Sequence, residues 1–123
     1  MFQGLRTVIY PVTDVAQAKA WYTAVLGQEP YFDQPFYVGY NVGGYELGLN
    51  PNADPAVGSG GPTAFWGVAN VDEAFARLRS SGAGERAPIE EVGEGIRVAT
   101  MIDPFGNSIG IIENPHFSLD KAQ

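Results

Sequence analysis

Apolar and polar residues alternate along this chain with two different periods, and the periods follow one another in a fixed order. Residues 5–12, Leu-Arg-Thr-Val-Ile-Tyr-Pro-Val, are β-branched and aromatic, which predicts a strand. Asp14 then stands where an N-cap is needed, and Gln17, three positions on, completes a capping box. Val15, Ala18, Trp21 or Tyr22, Val25 and Leu26 recur at spacings of three and four, the stripe of a half-buried helix. Gly27 is placed to end that helix in a left-handed conformation. Period-two patterning returns at about residues 31–32, 36–42 and 45–50, predicting three more strands.

The same order then occurs a second time. Residues 63–68 predict a strand, Asn70 and Glu73 form a second capping box, Val71, Ala74, Phe75 and Leu78 supply the stripe, and Gly82 ends it. The two caps, Asp14 and Asn70, are displaced by 70 − 14 = 56 residues. Strands follow at about 86–90, 96–102 and 108–113. The last two are joined by Asp103-Pro104-Phe105-Gly106-Asn107, a turn in which Pro presets φ and Gly supplies a positive φ. Gly44-Tyr45-Glu46-Leu47-Gly48-Leu49 matches Gly106-Asn107-Ser108-Ile109-Gly110-Ile111 in alternation, and each half ends in Asn-Pro, at Asn50-Pro51 and Asn114-Pro115. The expected architecture is α+β, two tandem βαβββ modules in one domain. Module one covers about residues 3–51, a Pro/Gly-rich linker 52–62, module two 63–115 and a tail 116–123.

A helix covers one face of such a sheet and leaves the other free. Alternation assigns Val8, Tyr10, Leu47, Leu49, Trp66, Val68, Ile109 and Ile111 to the helix side. Thr7, Ile9, Glu46, Gly48, Thr63, Phe65, Ser108, Gly110 and Ile112 fall on the free side. The two free faces are expected to curve around a common cleft, a usual place for a ligand. Gly48 and Gly110 are unusual there, because glycine inside a strand weakens it and often marks close approach of a ligand or another backbone. Phe36, Tyr37, Tyr40 and Tyr45 are expected near the free side of module one, where aromatic rings suit planar or cationic ligands.

Composition narrows the possibilities. The 123 residues, 45% of them hydrophobic, suit one domain, and the absence of cysteine removes disulfides, thiolate metal sites and a cysteine nucleophile. No apolar run approaches the roughly 18 residues of a membrane span, and no signal-peptide pattern opens the chain, so a cytoplasmic protein is expected. A net charge of −7 with no basic run argues against nucleic acid as a partner. It favours a cationic ligand wherever acids line a site. No phosphate-binding loop fits, since Gly58-Ser59-Gly60-Gly61 lacks a lysine and a following helix.

The duplicated modules carry Val12-Thr13-Asp14 before the first helix, Tyr22-x-x-Val25-Leu26-Gly27 at its end, and Asp103-Pro104-Phe105-Gly106-Asn107 before the last strand. Over about residues 3–115 this set resembles the vicinal oxygen chelate superfamily, which includes glyoxalase I, extradiol dioxygenases, and fosfomycin- and bleomycin-resistance proteins. The resemblance implies four metal-ligand positions, usually His or Glu, and places them at Thr7, Gly48, Thr63 and Gly110. None of these is a good ligand, because a catalytic metal needs about three donors from His, Cys or carboxylate. Glu46 shares the face of Gly48, but one carboxylate does not hold a metal. The single histidine, His116, falls beyond the last strand and reads as a tail residue. Neither a cofactor nor a metal is therefore expected.

The expected function is a metal-independent small-molecule-binding protein, resembling those that sequester a cationic or aromatic compound. The alternative is a lyase, isomerase or dioxygenase-like enzyme of the same superfamily, with Glu46 as base. A structural domain with a filled cleft is a third. Arg97 is a candidate partner for Glu46. By the same resemblance two chains pair as a homodimer, with a small molecule as the other partner.

Overall fold

The computed structural model describes residues 1, 3–53, 60 and 62–117. Most of the linker, including three of the four residues 58–61, and the tail from 118 onward lie outside the described residues. The chain divides into two units, Met1–Pro62 with Phe105–Asn107, and Thr63–Pro104 with Ser108–Gln123.

The first unit contains β1 (Thr7–Pro11), α1 (Val15–Leu26), β2 (Phe32–Gln34), β3 (Tyr37–Val42) and β4 (Tyr45–Asn50). Its sheet runs β1-β4-β3-β2, with β1 and β4 parallel and the other pairs antiparallel. Asp14 is the N-cap of α1, its Oδ1 accepting a bond of 3.1 Å from the Gln17 backbone N–H. Gly27 closes the helix at φ 70°, where a Cβ would be strained. Ala18 and Tyr22 are buried, and the Tyr22 ring stacks on Tyr10 with centroids 5.9 Å apart. Tyr10, Leu47 and Leu49 are buried on this helix side as their parity requires. Phe105 adds its ring against Trp21 and Tyr22, and Asn107 donates from Nδ2 to the Pro11 carbonyl at 2.9 Å.

The second unit repeats the plan with β5 (Phe65–Gly67), α2 (Val71–Ser80), β6 (Gly84–Gly93), β7 (Ile96–Ile102) and β8 (Ser108–Glu113), in sheet order β5-β8-β7-β6. Asn70 caps α2 by accepting from the Glu73 N–H at 3.0 Å. A second orphan N–H, that of Val71, donates to Glu113 Oε1 on β8 at 2.8 Å, which ties the helix to its sheet. Asp72 and Glu73 in the first turn and Arg77 and Arg79 in the last complement the helix dipole. The repeat extends to the strand ends, where Asn50 and Asn114 each accept at Oδ1 from the N–H two residues on.

The expected elements are present, and several lengths differ, β1 covering five residues instead of the eight of 5–12. β5 is three residues long instead of six, so Thr63 precedes the strand. β6 spans ten residues at the edge of its sheet and pairs with β7 through three register shifts. Those irregularities and its exposed Glu85, Glu90 and Glu91 blunt an edge that would otherwise invite another strand. Among the described residues no helix is long and apolar enough to cross a membrane.

Candidate functional site

On the free face of the first sheet, register decides which side chains meet. Thr7 pairs with Glu46 and Ile9 with Gly48 across β1 and β4, while Gly39 pairs with Gly48 and Asn41 with Glu46 across β3 and β4. Tyr37 is therefore the diagonal neighbour of Gly48 on the same face, within reach of an aromatic ring. Its ring lies over Gly48: a Cβ built there would fall 2.5 Å from Tyr37 Cζ and closer still to its hydroxyl. Tyr31 lies beside it above Gly39.

Both phenols point to one acid. Tyr31 donates its hydroxyl to Glu46 Oε1, and Tyr37 donates to Oε2. Burial first, and then this bond to Glu46, pushes the Tyr37 hydroxyl well above the ordinary phenol range. The bond to Glu46 is the leading cause of a rise at Tyr31 as well. Both phenols thus remain donors at neutral pH. Beside them Arg6, Thr7, Tyr31, Asn41, Gly44, Tyr45 and Glu46 line a groove of about 260 Å³. Tyr31 supplies an exposed aromatic wall, whereas Tyr45, one residue from Glu46 on β4, falls by alternation on the opposite face and only edges the groove at the start of the strand.

The second sheet solves the equivalent position differently. Phe65 pairs directly with Gly110 across β5 and β8, and its ring folds over it. A Cβ on Gly110 would lie 2.5 Å from Phe65 Cδ1 and 2.8 Å from the Ala64 carbonyl oxygen. Ser108 is buried, and its hydroxyl lies 3.3 Å from Thr63 Oγ1. Ile9 and Phe65, each 47% exposed, leave their faces open to solvent.

Several expectations need correction. Gly48 and Gly110 do not open room for a ligand, because rings of the same chain fill both places. Tyr40 lies on the helix side, buried, donating to the Lys19 carbonyl at 3.0 Å and bonded to Thr23 Oγ1 at 2.9 Å. An odd separation from Tyr37 on one strand requires this. Arg97, the candidate partner for Glu46, is engaged within its own unit. It donates to both Asp72 carboxylate oxygens, at 2.6 and 3.2 Å, and that bond is the leading cause that lowers the Asp72 carboxyl below its ordinary value. His116 is exposed, its Nε2 2.8 Å from the Glu94 carbonyl oxygen. Sequence patterning left Arg6, Tyr31 and Asn41 out of the site. Their place depends on pairing register, which alternation alone does not supply.

The family's metal positions can be tested one by one. Two carry glycines whose side-chain space is already filled, a third, Thr63, is bonded to Ser108, and the fourth, Thr7, offers only a neutral hydroxyl opposite Glu46. Among the described residues no three His, Cys, Asp or Glu side chains gather as a metal-holding group. The residues at these positions do not fit a divalent ion.

Two helix-backed mixed sheets built on one repeated βαβββ plan define the class of protein: a duplicated α+β fold with a groove lined by Arg6, Tyr31 and Glu46 on its first sheet. The chain belongs to the Glyoxalase/Bleomycin resistance protein/Dioxygenase superfamily, whose sequence model matches residues 4–111. Comparison with curated proteins returns no match. Among solved structures, a glyoxalase-related enzyme from Fulvimarina pelagi is similar at TM-score 0.74 and 19% identity, over 93% of this chain and 90% of that one. A glyoxalase/bleomycin resistance protein from Catenulispora acidiphila aligns at TM-score 0.67 and 24% identity, over 91% and 100%. Lactoylglutathione lyase from Agrobacterium tumefaciens aligns at 0.72 and 20%, over 94% and 98%. At these identities the likeness concerns the fold.

Proposed function

We propose that this chain is a metal-independent small-molecule-binding protein whose ligand is aromatic or cationic and docks on the free face of the first sheet. The observation that carries the proposal is the Glu46 carboxylate, held by two phenols beside a groove walled by Tyr31. Aromatic faces and a fixed acceptor suit a planar, donor-bearing molecule. Rings over Gly48 and Gly110 support metal independence, because they occupy the room that ligating side chains would need.

The test is calorimetric titration of metal-stripped protein with a panel of small cationic and neutral aromatic compounds, alongside elemental analysis of the protein as purified. Saturable binding without added metal, and substoichiometric metal content, are expected. Uniform absence of binding would overturn the ligand, and stoichiometric zinc, nickel, manganese or iron would overturn the metal independence. A metal-free lyase or isomerase with Glu46 as base is the competing reading, favoured by the Tyr37 phenol standing beside that carboxylate as a proton donor. Turnover abolished by Glu46→Gln would establish it.

A further inference from the structure

The groove beside Glu46 has a hydrogen-bonding inventory that selects among ligands more sharply than its charge does. Resting on the function proposed above, we infer that the groove recognises an amidine-type edge, meaning two parallel N–H donors on or beside an aromatic ring, as in amidinium and amino-heterocyclic compounds.

Three observations lead there. First, each Glu46 oxygen already accepts one phenol, Oε1 from Tyr31 and Oε2 from Tyr37. A carboxylate oxygen offers about two acceptor sites, so one remains on each, in the plane of the group. A fork of two N–H donors takes the inward-facing site of each oxygen, so under this inference the two phenols take the outer sites. Second, the two phenols hold Glu46 from defined sides. Tyr31 stands in the groove wall, whereas Tyr37 covers Gly48. The carboxylate is thus fixed before any ligand arrives, so less ordering is required on binding. Third, the groove is formally neutral. Arg6, whose guanidinium donates to the Leu5 carbonyl and Gln3 Oε1 at 3.3 Å each, also lines it and offsets the charge of Glu46. A bare cation therefore gains little there, and recognition has to come from donors in register with the acceptors. Tyr31, exposed in the groove wall, offers its ring to the ring that carries them.

Tyr31 and Tyr37 are positioning residues in this scheme, and Glu46 is the group that touches the ligand. The experiment compares benzamidinium with benzyltrimethylammonium, two aromatic cations of which only the first has N–H donors. In the wild-type protein benzamidinium should bind at least tenfold more tightly, the size expected of a charge-assisted bidentate pair. Glu46→Gln, which replaces one acceptor by a donor, should bring the ratio close to one. Tyr31→Phe and Tyr37→Phe keep the rings and remove the hydroxyls. Each should shrink the ratio severalfold, weakening benzamidinium far more than benzyltrimethylammonium. A purely structural role would weaken both compounds alike. A wild-type ratio near one overturns the inference while leaving a small-molecule function standing, and so does a ratio that survives in Glu46→Gln. Absence of binding by either compound and by the wider panel overturns the function itself. The wild-type ratio needs no variant, so a substitution that fails to fold does not shield the inference.

Discussion

Gly48→Ala tests whether the Tyr37 ring is what the glycine accommodates. In an unobstructed strand this substitution stabilises by about 0.4–1 kcal/mol, chiefly by restricting the unfolded chain. Here the added methyl would overlap Tyr37, with Cζ only 2.5 Å away, and the ring has to leave. Its hydroxyl then loses the bond to Glu46, a charge-assisted hydrogen bond worth about 1.5–3 kcal/mol. Repacking adds about 1 kcal/mol or more. The balance is a destabilisation of about 2–3 kcal/mol, or roughly 8–12 °C in Tm at about 4 °C per kcal/mol for a chain of this size. Calorimetric melting and urea midpoints would read it. In a Tyr37→Ala background the obstruction is gone, so Gly48→Ala should become neutral or stabilising, a change of sign that a double-mutant cycle isolates. Gly110→Ala should behave differently. Its methyl meets both the Phe65 ring and the Ala64 carbonyl oxygen at 2.8 Å, and that carbonyl is pinned by accepting the Gly110 N–H at 2.9 Å. A ring can rotate away, a paired backbone cannot. Phe65→Ala should therefore rescue Gly110→Ala only in part. A neutral Gly48→Ala in the wild-type background, or one with equal cost in both backgrounds, would refute the reasoning.

The Tyr37 hydroxyl is raised by burial and by Glu46, so the folded state resists forming the phenolate. Its contribution to stability should be complete below about pH 10 and fall as pH rises above the unfolded-state phenol value, a loss visible in alkaline urea titrations. Glu46→Gln should bring the highest phenolic step of an ultraviolet titration down only part of the way, because burial is the larger cause. Arg97→Ala removes an exposed pair with Asp72 and should leave ligand titrations unchanged, with a small loss of Tm that disappears in high salt. Asp72 has a depressed folded-state value, so its share of that pair is present above the ordinary carboxylate range and lost as pH falls through the lower value. Asn107→Ala deprives the Pro11 carbonyl of its buried donor and should cost about 1–3 kcal/mol in urea unfolding.

The repeat, both capping boxes and the division of strand residues between helix side and free side were legible because each rests on local spacing. Glycines at 48 and 110 were legible as points of close approach, yet what approaches them was not. Tyr37 reaches Gly48 only because β3 pairs with β4 through Gly39, and no local pattern contains that register. The side of Arg97 was not legible, since Ile96, Val98 and Ile102 on one parity are as apolar as Ala99 and Met101 on the other, and only the burial of Ala99 and Met101 assigns it to the helix side. Tyr40 was misassigned for the opposite reason: composition grouped the aromatics of one strand, where alternation separates them. Register also explains why two modules of one plan end up chemically unequal. The position two residues before the strand glycine holds Glu46 in the first module and Ser108 in the second. Glu46 gathers two phenols from β3 and the segment before β2, and faces a groove. Ser108 is buried, its hydroxyl beside that of Thr63. A carboxylate cannot be buried without partners, whereas a hydroxyl needs only one. The acid therefore keeps its module's face polar, which is the reason the proposed ligand site is assigned to the first module.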